Sequence, residues 1–433
     1  MKRKNFKPNE YIIKEDTPGN SFYLIIQGRV RIIIKGNYIR DLSPGDYLGE
    51  NALLTDNDLR TASAIALEQV NCYVLSKKEF QIILKDDTTK AYLLKKLALQ
   101  NTEINLDSLH YIKFLGKGKF GSVSLVHNKQ NIYAIKAISR LSVEREKMLA
   151  KYFLDEKKIM LCLDHPFVVR MVKTLKNKHF CFLLIEFING INLDQYLSKR
   201  EKRQNIYETQ FYIGSILLML DYLQKKFIAH RDIKPSNIMV DSNGYLKMID
   251  FGTSKVLSLS DYTSTIIGTP HYIAPEILRG KGYSLSCDFW SLGICMYEIF
   301  YGKYPFGHYA TEVIEIYKEV LRNSFSFPNE NKKVENVNAF INCLLNKKVN
   351  ERICNVSALK EKKFFEGFDF DKLIELRLKP PFKPIMEDFN KYLKKENPYE
   401  NYVKEDNTNA HKRKENEDDY IPPDYNPNWA DEF

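Results

Sequence analysis

The chain has 433 residues, enough for two or three domains, and its 44% apolar and 28% charged content is that of ordinary soluble globular protein. No apolar run approaches the roughly 18 residues of a membrane span, so none is expected. The formal charge of +10 is scattered along the sequence, which describes a lysine-rich solvated surface and no nucleic-acid partner.

The opening MKRKNFKPNE is basic but has no apolar core, Lys follows the first Met, and the last four residues, ADEF, hold no cysteine. Neither a secretory signal nor a lipid anchor is expected, and KRKNF reads as a solvated terminus. Cysteines 72, 162, 181, 287, 295, 343 and 354 form no CxxC pair and lie mostly among apolar residues. That usage predicts buried, reduced thiols in a cytoplasmic protein.

Residues 10–75 are dense in short β-branched runs (EYIIKE, SFYLIIQG, RVRIIIKG, ASAIALE, NCYVLS) separated by TPGN, KGN, SPGD and TDND. Short strands between such turns predict an antiparallel barrel or jelly roll over about 9–76. A helical pattern follows over about 77–100, closing a first domain at 1–100. Within it GENALLTDNDLRTAS (49–63) sets Glu50 and Arg60 ten positions apart. A third region, 110–366, opens with strands and moves into long apolar helices. The remainder, 367–433, rich in proline and then in charge, reads as an extended tail. No coiled coil is seen, so a monomer is expected.

LGKGKFGSV (115–123) carries glycines 116, 118 and 121 in a G-x-G-x-x-G frame, which brings backbone N–H groups close to phosphate oxygens. Alone, the frame also fits a dinucleotide-binding turn. Here it is followed by the strand YAIK (133–136) and not by a helix. Lys136 and Ala134 share a face there, the lysine for phosphates and the alanine for a purine slot. Glu156, in FLDEKKIM, is a candidate ion-pair partner for Lys136. HRDIKPSN (230–237) then offers Asp232 for an acceptor hydroxyl and Asn237 for a metal, and DFG (250–252) adds Asp250 as a second hard-oxygen ligand suited to magnesium. APE (274–276) completes the series.

With these motifs in this order, residues 110–366 resemble a eukaryotic Ser/Thr protein kinase, an α+β bilobal fold. The resemblance implies an ATP pocket lined by Leu115, Gly116, Gly118, Gly121, Val123, Ala134, Ile185 and Met239, with Glu186 and Ile188 offering hinge backbone groups. It implies catalytic roles for Lys136, Glu156, Asp232, Lys234, Asn237 and Asp250, with Asn237 and Asp250 on magnesium. It also implies a structural pair, Glu276 with Arg352, and an anchor for the catalytic loop, Asp288; Trp290 is read as core. Thr265, three residues before Gly268, matches the activation-loop phosphosite of the AGC group, where a phosphate would meet Arg231 and Lys255. Substrate recognition would fall to Glu298, with Asn192 and Ser236 standing where the family has two further acids, so a weakened requirement for upstream basic residues is expected. KPPFKP (379–384) resembles the tail by which AGC kinases wrap the catalytic domain. PPDYNPNWADEF resembles the ending of cGMP-dependent protein kinases at Trp429, Asp431 and Phe433.

GENALLTDNDLRTAS in turn resembles the phosphate-binding cassette of cyclic-nucleotide-binding domains. The resemblance gives Gly49, Glu50, Asn51, Ala52 and Arg60 to the nucleotide, Glu50 on the ribose hydroxyl and Arg60 on the phosphate. Thr61 resembles cGMP-type cassettes, where cAMP types more often carry Ala. The family places its arginine one residue sooner, which raises the question whether Arg60 still reaches the phosphate. The whole is expected to be a multidomain protein: a jelly-roll cyclic-nucleotide-binding domain with a C-terminal helix, a bilobal kinase, and an extended tail. The expected function is phosphorylation of protein Ser/Thr residues, raised by cyclic nucleotide, the unliganded barrel and helix restraining the kinase lobes. Two alternatives remain open at this point: a constitutive kinase with a non-binding sensor, and a non-catalytic pseudokinase scaffold.

Overall fold

The computed structural model describes residues 2–42, 47–49, 53, 59–83, 104–118, 121–146, 148–200, 205–257, 267–280, 282, 284–328, 334–394, 396–399 and 430. They fall into two compact units, Met1–Thr102 and Glu103–Phe433.

The first unit is a sandwich of two four-stranded antiparallel sheets. One has the order β1 (Lys2–Phe6), β8 (Val70–Ser76), β3 (Ser21–Gln27), β6 (Tyr47–Leu48); the other has β2 (Tyr11–Ile13), β7 (Ser63–Ala66), β4 (Val30–Ile34), β5 (Asn37–Leu42). The period-two runs turn Ile25, Val30, Ala64, Ala66, Val70 and Cys72 inward, all at most 2% exposed. The terminus expected to be solvated is instead a strand. KRKNF pairs with β8 along its whole length and buries Phe6, while its charged residues stay in water. Helix α1 (Lys77–Ile83) follows β8, with Phe80 packed on Phe22, Leu53 and Leu75. The rest of the expected helix, 84–100, lies outside the described residues.

The second unit begins with a five-stranded antiparallel sheet in the order β12 (Met171–Lys176), β13 (Phe180–Glu186), β11 (Ile132–Ser139), β10 (Gly121–His127), β9 (His110–Gly118). Against it lies α2 (Met148–Cys162). Then come β14 (Gly190–Asn192), α3 (Leu193–Lys199), α4 (Ile206–Lys225), β15 (Ile228–Ala229), β16 (Ile238–Asp241), β17 (Leu246–Met248), β18 (Lys255–Val256) and α5 (Ser286–Tyr301). Helices α4 and α5 are apolar nearly all round and form the second core, with Tyr212, Ile213, Trp290 and Ile294 fully buried.

The segment after 366 packs on this unit. Leu373 is fully buried, and the tail returns to the sheet edge, where Tyr111 N donates to Asn397 O (2.6 Å) and Tyr399 N to Leu109 O (2.9 Å). Tyr399 thereby joins the core of the five-stranded sheet. No helix among the described residues is long and apolar enough to cross a membrane.

Candidate active site and nucleotide-sensing site

One cavity of about 1090 Å³ collects the residues singled out from the motifs. Its walls include Leu115, Gly116, Gly118, Gly121, Val123, Ala134, Lys136, Ile185, Glu186, Ile188 and Met239, together with Glu156, Asp232, Lys234, Asn237 and Asp250. Sheet pairing explains the upper wall: Val123 stands opposite Gly116 and Lys136, and Ala134 opposite Ile185. Gly121 closes the glycine turn at φ +128°, where a Cβ would fall 2.2 Å from Ala137 O. Only glycine fits.

Lys136 Nζ bridges Glu156 (2.7 and 2.8 Å) and Asp250 Oδ1 (3.2 Å). Burial works against its charge, but the two carboxylates together hold the ammonium above the usual lysine range. Asp250 is half-buried, which pushes its carboxyl up, yet Lys136 and the Gly252 N–H keep it below the ordinary aspartate value.

Asp232 is more crowded than its motif suggests. Its Oδ1 accepts from Thr269 N (2.9 Å) and Oγ1 (2.8 Å); its Oδ2 meets Asn237 Nδ2 (2.9 Å) and Lys234 Nζ (2.8 Å). Lys234 also donates to Thr269 Oγ1 at 2.5 Å. Asp288, 2% exposed, holds the loop below by accepting from His230 N and Arg231 N at 2.7 and 2.8 Å. Burial raises its carboxyl against the opposing pull of the His230 and Arg231 charges and those two N–H groups. The expected pair Arg352–Glu276 is formed at 2.6 and 2.9 Å, and Trp290 is core.

Glu298 is half-buried and accepts from Tyr272 OH at 2.5 Å. Burial raises its carboxyl above the usual range. Asn192 Nδ2 donates to Ser236 O (2.7 Å), so the two neutral positions expected to dilute the acidic subsite face one another. Arg231 donates to Thr253 O (2.5 Å), while Thr265 lies outside the described residues.

Two features of the cavity went unread in the sequence. Thr269 supplies Asp232 with two donors, for which the only sign was its place after Gly268. Met386, Glu387 and Phe389 reach the cavity from the tail, Phe389 meeting Phe187 edge-to-face at 5.0 Å with Lys113 over its ring at 4.7 Å. A loop of that composition carries no local signal for such a contact.

In the first unit Arg60 is 6% exposed. Its backbone is fixed by Asp16 N to Arg60 O and Arg60 N to Thr17 O, both 2.9 Å, and Leu59 bridges to Pro18. The guanidinium turns inward, Nη1 donating to Gly49 O (2.7 Å) and Nη2 to Ser21 O (2.5 Å). Gly49, at φ +94°, makes room for it: a Cβ there would lie 2.7 Å from Nη1. Ten positions of sequence thus still return the arginine to the first residue of the cassette. Glu50, Asn51 and Ala52 lie outside the described residues, and Thr61 stands beside Arg60 at the entry to β7.

Residues 109–365 match the protein kinase domain family and residues 3–87 the cyclic nucleotide-binding domain family. The chain is 38% identical over 391 residues to a cGMP-dependent protein kinase of Toxoplasma gondii, covering 89% of this chain and 39% of that protein. It is 35% identical over 388 residues to one of Plasmodium berghei (strain Anka), covering 88% and 44%. It is 31% identical over 414 residues to isozyme 1 of Drosophila melanogaster, covering 87% and 53%. The chain therefore spans between about two fifths and half of the length of these relatives.

Proposed function

The chain belongs to the protein kinase family, and on that premise we propose that it transfers the γ-phosphate of ATP to Ser or Thr hydroxyls of proteins under control of a cyclic nucleotide, cGMP in preference to cAMP. What supports the catalytic half is the convergence of Lys136–Glu156, Asp250 and the Asp232–Asn237–Thr269 cluster on one cavity. Lys136, fixed by two carboxylates, orients the phosphates. Asp232 receives the hydroxyl proton as the acceptor oxygen bonds to phosphorus and the bond to the ADP oxygen breaks, and Lys234 balances the transferred charge. Thr269 and Asn237 hold the Asp232 carboxylate in place before substrate arrives.

The donor set fits magnesium. Asn237 spends its N–H group on Asp232, leaving its carbonyl oxygen, and Asp250 has Oδ1 on Lys136 and Gly252, leaving Oδ2. The ion would neutralise phosphate charge during transfer. The purine would lie between Ala134 and Met239 against the Glu186–Ile188 backbone, and phosphate on Thr265 would order the loop before Gly268.

The regulatory half rests on Arg60. Its guanidinium sits inside the barrel at Gly49 and can exchange backbone carbonyls for the two oxygens of a cyclic phosphate, a stronger charge-assisted contact. Glu50 would accept the ribose hydroxyl, with Asn51 and Ala52 giving backbone contacts and Thr61 the guanine contact. Nucleotide shifts the kinase only by its differential affinity for restrained and released states; a hundredfold difference supplies about 2.7 kcal/mol. Buried thiols such as Cys287 and Cys72, the latter pushed up to about 11 by burial, support a cytoplasmic location. The test is transfer of labelled γ-phosphate from magnesium ATP to matched Ser, Thr and Tyr peptides. Ser and Thr labelling that disappears in Asp232→Asn is expected; Tyr labelling alone, or none, would contradict the reading.

A further inference from the structure

KREKRQNIYET looks like a solvated, highly charged connector, yet two of its charges are buried against one another. Arg200, capping the end of α3, meets Glu208 in the first turn of α4 at 2.5 Å, with both side chains 5% exposed. A buried pair of this kind adds little stability, because desolvating both charges offsets their attraction. Its presence is better explained by what it holds.

The second arm of the guanidinium donates to Ile299 O. Ile299 lies in the last turn of α5, where carbonyls have no partner further along the helix. Gly302 N takes Glu298 O at 2.7 Å, and Arg200 takes the next carbonyl, a cation at the negative end of the helix. The turn so capped carries Glu298. Tyr272, which donates to Glu298, lies three residues beyond Thr269, which donates to Asp232. The segment Thr269–Tyr272 thus ties Glu298, the residue expected from the sequence to read basic side chains of a substrate, to the acceptor site at Asp232.

The other oxygen of Glu208 accepts from Tyr196 OH, and the Tyr196 ring stacks on Phe382 of the tail at 4.3 Å and 25°. Tyr245 OH and Tyr207 OH, donating to Leu378 O and Lys379 O at 2.5 Å, fix the tail beside it. Gly244 allows the close approach, since a Cβ there would fall 2.2 Å from Phe382 O.

We infer that Arg200 is a positioning residue for the peptide subsite, setting the helix turn that presents Glu298, and that Phe382 of the tail holds it there through Tyr196 and Glu208. The inference rests on the protein kinase reading and deepens it: the tail tunes recognition of basic residues upstream of the acceptor.

The test measures kcat and KM on the full chain for two serine peptides, one with upstream Arg and Lys, the other with Ala in their place. Arg200→Gln is expected to raise KM for the basic peptide roughly tenfold, as loss of an oriented charge contact does. The KM for ATP, peptide-free ATP hydrolysis and the Ala peptide should stay within twofold. Arg200→Lys, which keeps the charge but not the fork, should restore part of the loss. In a Glu298→Gln background the Arg200 effect should vanish. Phe382→Ala, a change in the tail that spares the core, should raise the basic-peptide KM about threefold and carries the test if Arg200→Gln fails to fold. An equal rise for both peptides, an unchanged KM, or an effect that survives Glu298→Gln overturns the inference. Transfer to neither peptide by the wild-type chain overturns the kinase reading itself, whereas transfer without preference for the basic peptide overturns this inference alone.

Discussion

Replacing Asp288 by Asn isolates what holds the loop that carries Asp232. The carboxylate offers one oxygen to His230 N and one to Arg231 N, and Arg231 sits at φ +69°. That left-handed conformation costs a non-glycine residue about 1–3 kcal/mol and persists only where neighbours enforce it. Asn keeps the volume but turns one acceptor into a donor facing a backbone donor. A charge-assisted bond worth about 1.5–3 kcal/mol is lost, and a buried N–H left unsatisfied costs about 1–3 kcal/mol. These overlap, so a net loss of about 3 kcal/mol is expected, comparable to the backbone strain it must restrain. Once Arg231 relaxes, Asp232 leaves its position against Thr269 and Asn237. A kcat about a hundredfold lower is expected, since each 1.4 kcal/mol is a factor of ten. The KM for ATP should stay within threefold, because the Lys136–Glu156 wall is untouched. Steady-state kinetics and hydrogen exchange at the His230 and Arg231 amides measure both effects. A kcat within threefold of wild type with those amides still protected would refute the reasoning.

Gly121→Ala must move the β9–β10 turn off Ala137 O; the KM for ATP should rise about tenfold in kinetics at saturating peptide. Phe389→Ala removes a tail ring from the cavity wall, and ATP titration should show roughly fivefold weaker binding with peptide KM unchanged. His165 is held neutral by burial, its pKa lowered to about 4 while its Nδ1 accepts from Phe167 N. The unfolded chain takes up a proton there below about pH 6.5 that the fold refuses, so stability falls as pH drops from 6.5 toward 4. At pH 5 this amounts to about 2 kcal/mol. Urea unfolding at pH 7.5 and 5 should show that loss in wild type and little of it in His165→Asn.

The parts of the site that a reader of sequence finds are those where chemistry demands particular residues at short spacing. The glycine turn, Lys136, HRDIKPSN and DFG met in one cavity because each motif is a local device placed by sheet register. Arg60 was legible as a residue type, but its reach was not, because that depends on the positive φ of Gly49 and on Ser21 far upstream. KRKNF looked solvated because four of its five residues are polar; only Phe6 opposite Val70 marks it as a strand. Arg200 and Glu208 were indistinguishable from surface charges until α5 closed over them. The tail contacts of Phe382 and Phe389 were hidden by the same cause. They join residues separated by about two hundred positions, and local periodicity says nothing about such pairs.

The measurement that bears most directly on the account is the activation ratio of the purified chain: peptide phosphorylation with no nucleotide, with cGMP and with cAMP, in wild type and in Arg60→Gln. Low basal transfer is expected, with a rise of tenfold or more with cGMP at concentrations where cAMP does little, and no response in Arg60→Gln with its basal rate intact. Equal, high rates in every tube would contradict it and leave a constitutive kinase beside a barrel that senses nothing.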